Sequence, residues 1–445
     1  MNRNGRWARV AAVSACLCLA MTSAATAGPA HESHAKAQKI TLTMWWWGDQ
    51  EASGAKGFVA DSVKKYEALH PNITINTTLQ STDNLVPAFE AAAAAKKGPD
   101  IEYFWGGINT LEDGCAGNIR PISTLLPKSE TKHYINGSED TSGGKLYSAP
   151  WYIQPSFPVL YRKDVLKRAG IAAAPTTWTQ LISDCKTLRA KGITPIAGGV
   201  KDGWFGGWLY SILGSQSVKS VNDVKAAVVG KQKFTDPDQA AWWTRLEQMK
   251  AADCWNDDIG SLGLYQAQQT WVNGKSAMTI TAGTDVKKFV KEVGQSKVGV
   301  MAMPTYANGI GAGKLGATSQ TLGVTSFSKY PKEAAAFIEY LHTPDRLSAF
   351  YKATGALPAD DRFNANLIKI PQIKQLFEMA KAGGPYLENF IPAELDQNGN
   401  FAGVQNLLAG KWTPTQAAAN MESTMARIRL TNSKEIANFK AWGAQ

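Results

Sequence analysis

Three short apolar runs separated by two helical patterns constrain this chain more than any other feature. Ile40 to Trp47 is a continuous apolar and aromatic run stopping at Gly48-Asp49, the signature of a parallel strand buried on both faces. Val59, Val63 and Tyr66 then recur at helical spacing until His70-Pro71-Asn72 breaks the helix. Ile73, Ile75 and Thr77 alternate as a second strand, Leu85 to Lys97 reads as a helix, and Gly98-Pro99 turns into a third strand from Asp100 to Trp105. Such a βαβαβ unit defaults to right-handed crossovers and a parallel sheet, with ligands beyond the carboxyl ends of its strands. Those ends carry Trp47-Gly48-Asp49 and Trp105-Gly106-Gly107.

At 445 residues the chain suggests two domains or one large α/β unit. Pro150, Pro155 and Pro158 fall in one short segment, which is expected to be a stiff connection rather than a helix or central strand. A second α/β pattern follows. Pro158 to Tyr161 reads as a strand, and Thr177 with Gln180 makes a capping box for a helix with Leu181, Ile182, Cys185 and Leu188 on one face. Thr194 to Ala197, Ala277 to Thr281 and Lys297 to Met303 read as strands, and the C-terminal hundred residues mainly as helices. At the other end, Arg3, Arg6 and Arg9, the apolar Val10 to Met21 and Ala25-Thr26-Ala27 form a cleavable leader over 1–27, followed by a flexible tether over 28–39. Lipid attachment at Cys16 is the alternative fate of that leader.

Composition narrows the function. Forty-seven Lys and Arg against 37 Asp and Glu give +10, or about +7 once the leader's arginines leave. With no run of five basic residues, this reads as a solvated surface and not as a nucleic-acid interface. Fifteen Trp against five His favour flat apolar ligand faces over metal or acid-base chemistry. Gly274-Lys275-Ser276 lacks the leading glycine of a phosphate loop, and Gly311-x-Gly313-x-x-Gly316 lacks the preceding strand of a dinucleotide site and reads as a surface loop. No catalytic residue, cofactor or metal site is expected, although the sequence alone leaves open a pair of glycosidase carboxylates.

The order of several short motifs resembles the extracellular solute-binding proteins of sugar ABC importers. These are Thr43 to Asp49, Gly98 to Trp105, Gly144 to Pro150, Tyr161 to Asp164, Pro175 to Trp178, Asn273 to Met278 and Gly355 to Pro358. The resemblance runs from Ile40 to about Lys440. It implies an α/β, two-lobe periplasmic-binding-protein-like type II fold, with an interlobe cleft and a three-strand hinge. The implied lobes are 40–150 with 298–328 and 151–297 with 329–445. Chain crossings are expected at Pro150 to Pro158, near Gly294 to Val298 and near Ser326 to Pro331.

Carried over by position, Trp47 and Asp49 look like the first-strand loop of maltose-binding relatives, where an Asp accepts sugar hydroxyls; helix capping is the other reading of Asp49. Trp105 stands where the family packs a Trp on a pyranose face, with core packing as its alternative, and Asn109 takes the polar position four residues on. Trp151, Tyr152 and Gln154 border the cleft in this resemblance. Trp204 and Phe205 resemble the aromatic loop of the second lobe, whose flanking glycines argue against pure core packing. Thr284 and Asp285 replace a family Gly-x-Trp. Asn389 and Asp396 are further candidates, while Trp45, Trp46, Trp178, Trp242 and Trp243 are expected in the core.

The implied function is an exported, monomeric sugar receptor that closes on its ligand and delivers it to the permease subunits of an ABC importer. A secreted carbohydrate-active hydrolase is the alternative, and a peptide or polyamine receptor of the same fold a third possibility. In the mature chain Cys185 and Cys254 fall in one predicted lobe and Cys115 in the other, so a Cys185–Cys254 disulfide with Cys115 free is expected in an oxidising compartment.

Overall fold

A computed structural model describes residues 38–50, 52–381 and 384–442. The leader with Cys16 and Cys18, and the part of the tether carrying His31 and His34, lie outside the described residues. Strands β1 (Ile40–Trp46), β2 (Ile73–Leu79) and β3 (Ile101–Trp105) alternate with helices Ala55–Leu69 and Thr82–Ala95. β1 pairs in parallel with both β2 and β3. The first helix buries Ala55, Phe58, Val59, Ser62 and Tyr66, a stripe at three- and four-residue spacing, against this sheet. β1 itself is closed on one face: Ile40, Leu42, Met44 and Trp46 are buried. Trp45, expected in the core, is half-buried on the opposite face, in register with Thr78 and Glu102.

Ten shorter or later strands complete the sheets. They are β4 (Ile119–Arg120), β5 (Thr141–Ser142), β6 (Lys145–Leu146), β7 (Ala149–Ser156), β8 (Val159–Arg162), β9 (Thr194–Ala197), β10 (Ser276–Ile280), β11 (Val298–Met301), β12 (Gly316–Thr325) and β13 (Leu357–Pro358). A seven-stranded sheet runs β13-β7-β12-β3-β1-β2, with β4 also on β12. A four-stranded sheet runs β11-β8-β10-β9, and β5 and β6 form a small hairpin. Each large sheet has its own core, and a further cluster around Leu160, Val298, Ile153 and Leu357 joins them.

Several boundaries differ from the sequence reading. The proline-rich segment is strand β7 up to Ser156, not a connection. β13 covers only Ile153 and Tyr152, and the ladder to β12 shifts between Gln320 and Thr321, so neither Pro150 nor Pro155 is asked for an amide hydrogen by β13. The crossing there is confined to Phe157-Pro158. Val298–Met301, expected to start the return to the first lobe, pairs antiparallel with β8 in the second sheet. The chain therefore crosses between β11 and β12. Helices Pro331–Leu341 and Pro344–Thr354, expected in the second lobe, bury Phe337, Ile338, Leu341 and Phe350 in the first core. The third crossing accordingly follows β13, before helix Pro371–Lys381, where Gln372 and Gln375 donate to the Val298 and Val300 carbonyls at 3.0 and 2.9 Å.

The second sheet follows its local signals closely. Thr177 Oγ1 accepts from the Gln180 amide at 3.3 Å and Gln180 Oε1 from the Thr177 amide at 3.2 Å, starting helix Trp178–Ala190. That helix buries Cys185, which is disulfide-bonded to Cys254 with 5.0 Å between their α-carbons; Cys115 is the free cysteine among the described residues. A bridge across 69 residues removes roughly 4 kcal/mol of loop entropy from the unfolded chain. No helix among the described residues is long and apolar enough to cross a membrane.

Candidate functional site

Strand alternation places Tyr103 and Trp105 on one face of β3, at the carboxyl end of the parallel strands. Trp105 is half-buried and meets Trp47 edge-on at 5.5 Å, and Trp47 lies 6.0 Å from Tyr103. The Trp47 indole donates to Gln50 Oε1 at 3.0 Å and Thr82 Oγ1 at 2.9 Å, which fixes the ring. A buried polar chain continues across the sheet. The Tyr103 hydroxyl donates to Gln320 Oε1 at 2.5 Å, and Gln320 Nε2 donates in turn to Gln154 Oε1. With its hydrogen committed, the Tyr103 oxygen accepts from the Tyr152 hydroxyl at 3.0 Å. Trp47, Trp105, Tyr152 and Gln154 thus meet in one aromatic and polar stripe.

Beyond Trp105 the loop is tied down from two sides. Gly106 donates to the Ser319 carbonyl at 3.0 Å and Gly107 to Asp140 Oδ1 at 2.8 Å. Gly107 has φ +71, and a β-carbon there would come within 2.8 Å of Asn389. Burial raises Asp140 to about 7; Glu139 rises to about 8, through burial first and the neighbouring Asp140 charge second. Asn389 Nδ2 donates to Thr318 Oγ1 at 2.6 Å, and that hydroxyl donates to Glu139 Oε2 at 3.2 Å. This chain links β12 to the turn Leu387–Phe390 of the second core. Asn109 is half-buried in the first turn of helix Ile108–Ala116, flanking the loop.

Other expected residues are placed elsewhere. Asp49 is exposed, and its Oδ1 accepts from the Lys56 amide at 2.6 Å, so in this structure it caps the first helix. Trp151 is a core residue, 2% exposed among Trp46, Phe58, Tyr152 and Phe350. Phe205 is packed between Trp208 and Trp255 at 1% exposure. Trp204 is half-buried against Trp208 and Tyr265 at 5.0 and 5.4 Å. The glycines beside it serve packing after all, because a β-carbon on Gly206 would meet Phe401 at 3.2 Å and one on Gly207 the Glu388 carboxyl at 2.5 Å. Trp208 stacks at 4.0 Å on Phe157, which holds φ +50 in the first crossing.

Thr284 and Asp285 are buried behind the same crossing, where Gly283 rests on Pro155. Thr284 lines a cavity of about 10 Å³ with Ile153, Pro155 and Leu357, room for one water, and its Oγ1 has no protein partner. Asp285 is raised by burial to about 7. Sequence reasoning missed Tyr103 and Gln320. Tyr103 was legible as the residue two before Trp105 on one strand face; Gln320 lies in a Gly-Ala-Thr-Ser stretch with no strand-like apolar alternation.

A metal could be sought where Glu130, His342 and Asp360 converge, with one donor atom of each within 4.8 Å of the others. Arg362 already fills that position. Its guanidinium donates to Glu130 Oε2 at 2.8 Å and to Asp360 Oδ1 and Oδ2 at 2.9 and 2.6 Å, while His342 Nδ1 lies 3.1 Å from Asp360 Oδ2. Burial opposes the Asp360 charge, but Arg362 and His342 outweigh it and hold the carboxyl at about 2.

Comparison with known proteins identifies the family and the fold. The sequence model of a family described as bacterial extracellular solute-binding protein matches residues 48–345. A probable ABC transporter-binding protein of Deinococcus radiodurans is 24% identical over 357 residues, covering 75% of this chain and 81% of that one. The sn-glycerol-3-phosphate-binding periplasmic protein UgpB of Escherichia coli K12 is 24% identical over 344 residues, covering 72% and 75%. Among solved structures, a chitin oligosaccharide binding protein superposes with a TM-score of 0.79 at 23% identity, covering 87% of this chain and 98% of the other.

Proposed function

Because the chain belongs to the bacterial extracellular solute-binding protein family, we propose that it captures a mono- or oligosaccharide between two lobes and hands it to the permease subunits of an ABC importer. The observation carrying the sugar reading is the half-buried Trp105, braced edge-on by Trp47 beside the Tyr103, Tyr152, Gln320 and Gln154 chain. An indole face offers apolar area to the C–H side of a pyranose, and the buried hydroxyl and amide chain behind it holds the aromatic pair in place. The chitin oligosaccharide binding protein supports this choice of ligand. The glycerol phosphate of UgpB fits less well, because the groups around Trp105 here are aromatic and neutral.

The lobes are the regions built on the two large sheets, 40–156 with 316–358 and 159–301 with 371–442, joined by the three crossings. Trp204 and Asn109 contribute from the margins, and Asp49 turns from its helix to a sugar hydroxyl when ligand arrives. Contacts made by both lobes favour closure, because only the closed state completes them. The protein acts as a monomer outside the cytoplasm, freed by cleavage of its 1–27 leader, and performs no chemistry on its ligand. Calorimetry against chito-, xylo- and malto-oligosaccharides, monosaccharides and glycerol 3-phosphate tests the assignment. Saturable binding of one sugar class without cleavage products is expected. Turnover, or binding of glycerol phosphate alone, would overturn it.

A further inference from the structure

Glu388 and Asp396 meet side chain to side chain inside the second core. Three irregular segments build their surroundings. The turn Leu387–Phe390 brings Glu388, a π-helical stretch Asp396–Phe401 brings Asp396 and Asn400, and a second one, Tyr210–Gly214, brings Tyr210 and Ser211. π-helical turns are rare and recur at functional sites. Asn400 Nδ2 donates to Asp396 Oδ1 at 2.8 Å, the Glu388 amide donates to Ser211 Oγ at 3.2 Å, and the Tyr386 hydroxyl donates to Glu388.

The cluster leaves several oxygens without partners. Asn400 is fully buried and its Oδ1 has none; Tyr210, 1% exposed, has an unpartnered hydroxyl within electrostatic reach of Asp396; Glu388 Oε2 is buried and unpartnered as well. A buried polar atom left so is costly, and here one of the three lies on the pair itself and the other two beside it. The side-chain partners of the pair, Tyr386 and Asn400, carry no positive charge. The contrast with Glu130 and Asp360 is direct, since Arg362 lies between those.

We propose that Glu388, Asp396, Asn400 and Tyr210 form a binding site for a hard cation of the Ca²⁺ class. Every donor is oxygen: two carboxylates, an amide carbonyl and a phenol, the set that suits Ca²⁺ and offers nothing to softer metals. The cation replaces the hydrogen now lying between the two carboxyl groups, which leaves to solvent. Of the two acidic residues Glu388 keeps the greater exposure, although its Oε2 is buried. The sequence carries no motif for it because the donors come from three separate segments.

Terbium titration of calcium-stripped protein tests the site, with Tyr210 and the adjacent Trp242 ring at 5.5 Å serving as the antenna. One sensitised Tb³⁺ per chain, displaced by Ca²⁺, and a higher melting temperature in Ca²⁺ are expected, both lost in Glu388→Gln. Asn400→Asp supplies a second readout should Glu388→Gln fail to fold. It adds a charge that should lower the melting temperature in chelator yet tighten Ca²⁺ binding about tenfold. Equal luminescence in wild type and Glu388→Gln would overturn the proposal, as would an Asn400→Asp melting temperature lowered equally with and without Ca²⁺. Reduced sugar affinity in Glu388→Gln with no cation signal in the wild type would also overturn it, and return the cluster to the sugar site.

Discussion

Two regions of the molecule set tryptophans beside glycines and use them differently. Around Trp105, the ring stands half-buried at the end of a parallel strand, and Gly106 and Gly107 let the loop bond Ser319 and Asp140. Around Trp208, the ring is stacked on Phe157 and the glycines are occupied from behind by Phe401 and Glu388. The residue types are nearly the same. What separates the proposed platform from a core is where the backbone ends: a strand terminus leaves its ring half-buried, whereas a helix wedged between cores buries its ring.

The strongest way to break this contrast is Trp208→Ala, which should cost about 3 to 5 kcal/mol in urea unfolding, as expected for a buried ring truncated in a packed site. A loss under 1 kcal/mol with weakened sugar binding would make Trp208 a platform too. Trp105→Ala should instead weaken sugar binding by roughly 1 to 3 kcal/mol while stability barely moves. The two regions are the same kind of site if both variants unfold alike.

Acidity gives the next effect. Asp140 holds Gly107, and burial lifts its carboxyl from 3.8 to about 7, so the folded state binds this proton more tightly than the unfolded chain. Its contribution is therefore complete below pH 4 and declines as pH rises toward 7, by at most about 1.4 kcal/mol per pH unit. Asp140→Asn should lessen that slope, leaving the share that Glu139 and Asp285 add over the same range; an unchanged slope between pH 4 and 7 would show that Asp140 does not titrate there. The smallest effect is expected for Tyr103→Phe, which frees Gln320 Oε1 and should cost about 1 kcal/mol of stability or sugar affinity. No change in either quantity would remove the polar chain from the site.

Legibility in the sequence followed the range of the forces involved. Thr177 and Gln180 are neighbours, so their capping box was readable, and the helix it starts turned Cys185 inward toward Cys254. The βαβαβ opening was readable for the same reason. Position β12 escaped because Gly316 to Thr325 carries its strand in pairing with three neighbours instead of in its own apolar pattern. Without β12 there was no Gln320, no partner for Tyr103 and no host for Pro150 and Pro155. Asp49 shows the converse limit: its type suits a sugar hydroxyl and a helix start equally, and only the fold brings it to the Lys56 amide.

The placement of β12 also sets the order in which the molecule can assemble. The strand between β3 and β7 is supplied by residues 316–325, so a nascent chain that has emitted the whole first βαβαβ unit still lacks the piece that joins it to β7. Until then β3 keeps an open edge, and the early segments remain an incomplete sheet that a narrow channel can still thread. For a family whose members work outside the cytoplasm, late delivery of a central strand keeps the chain slack until most of it has been made.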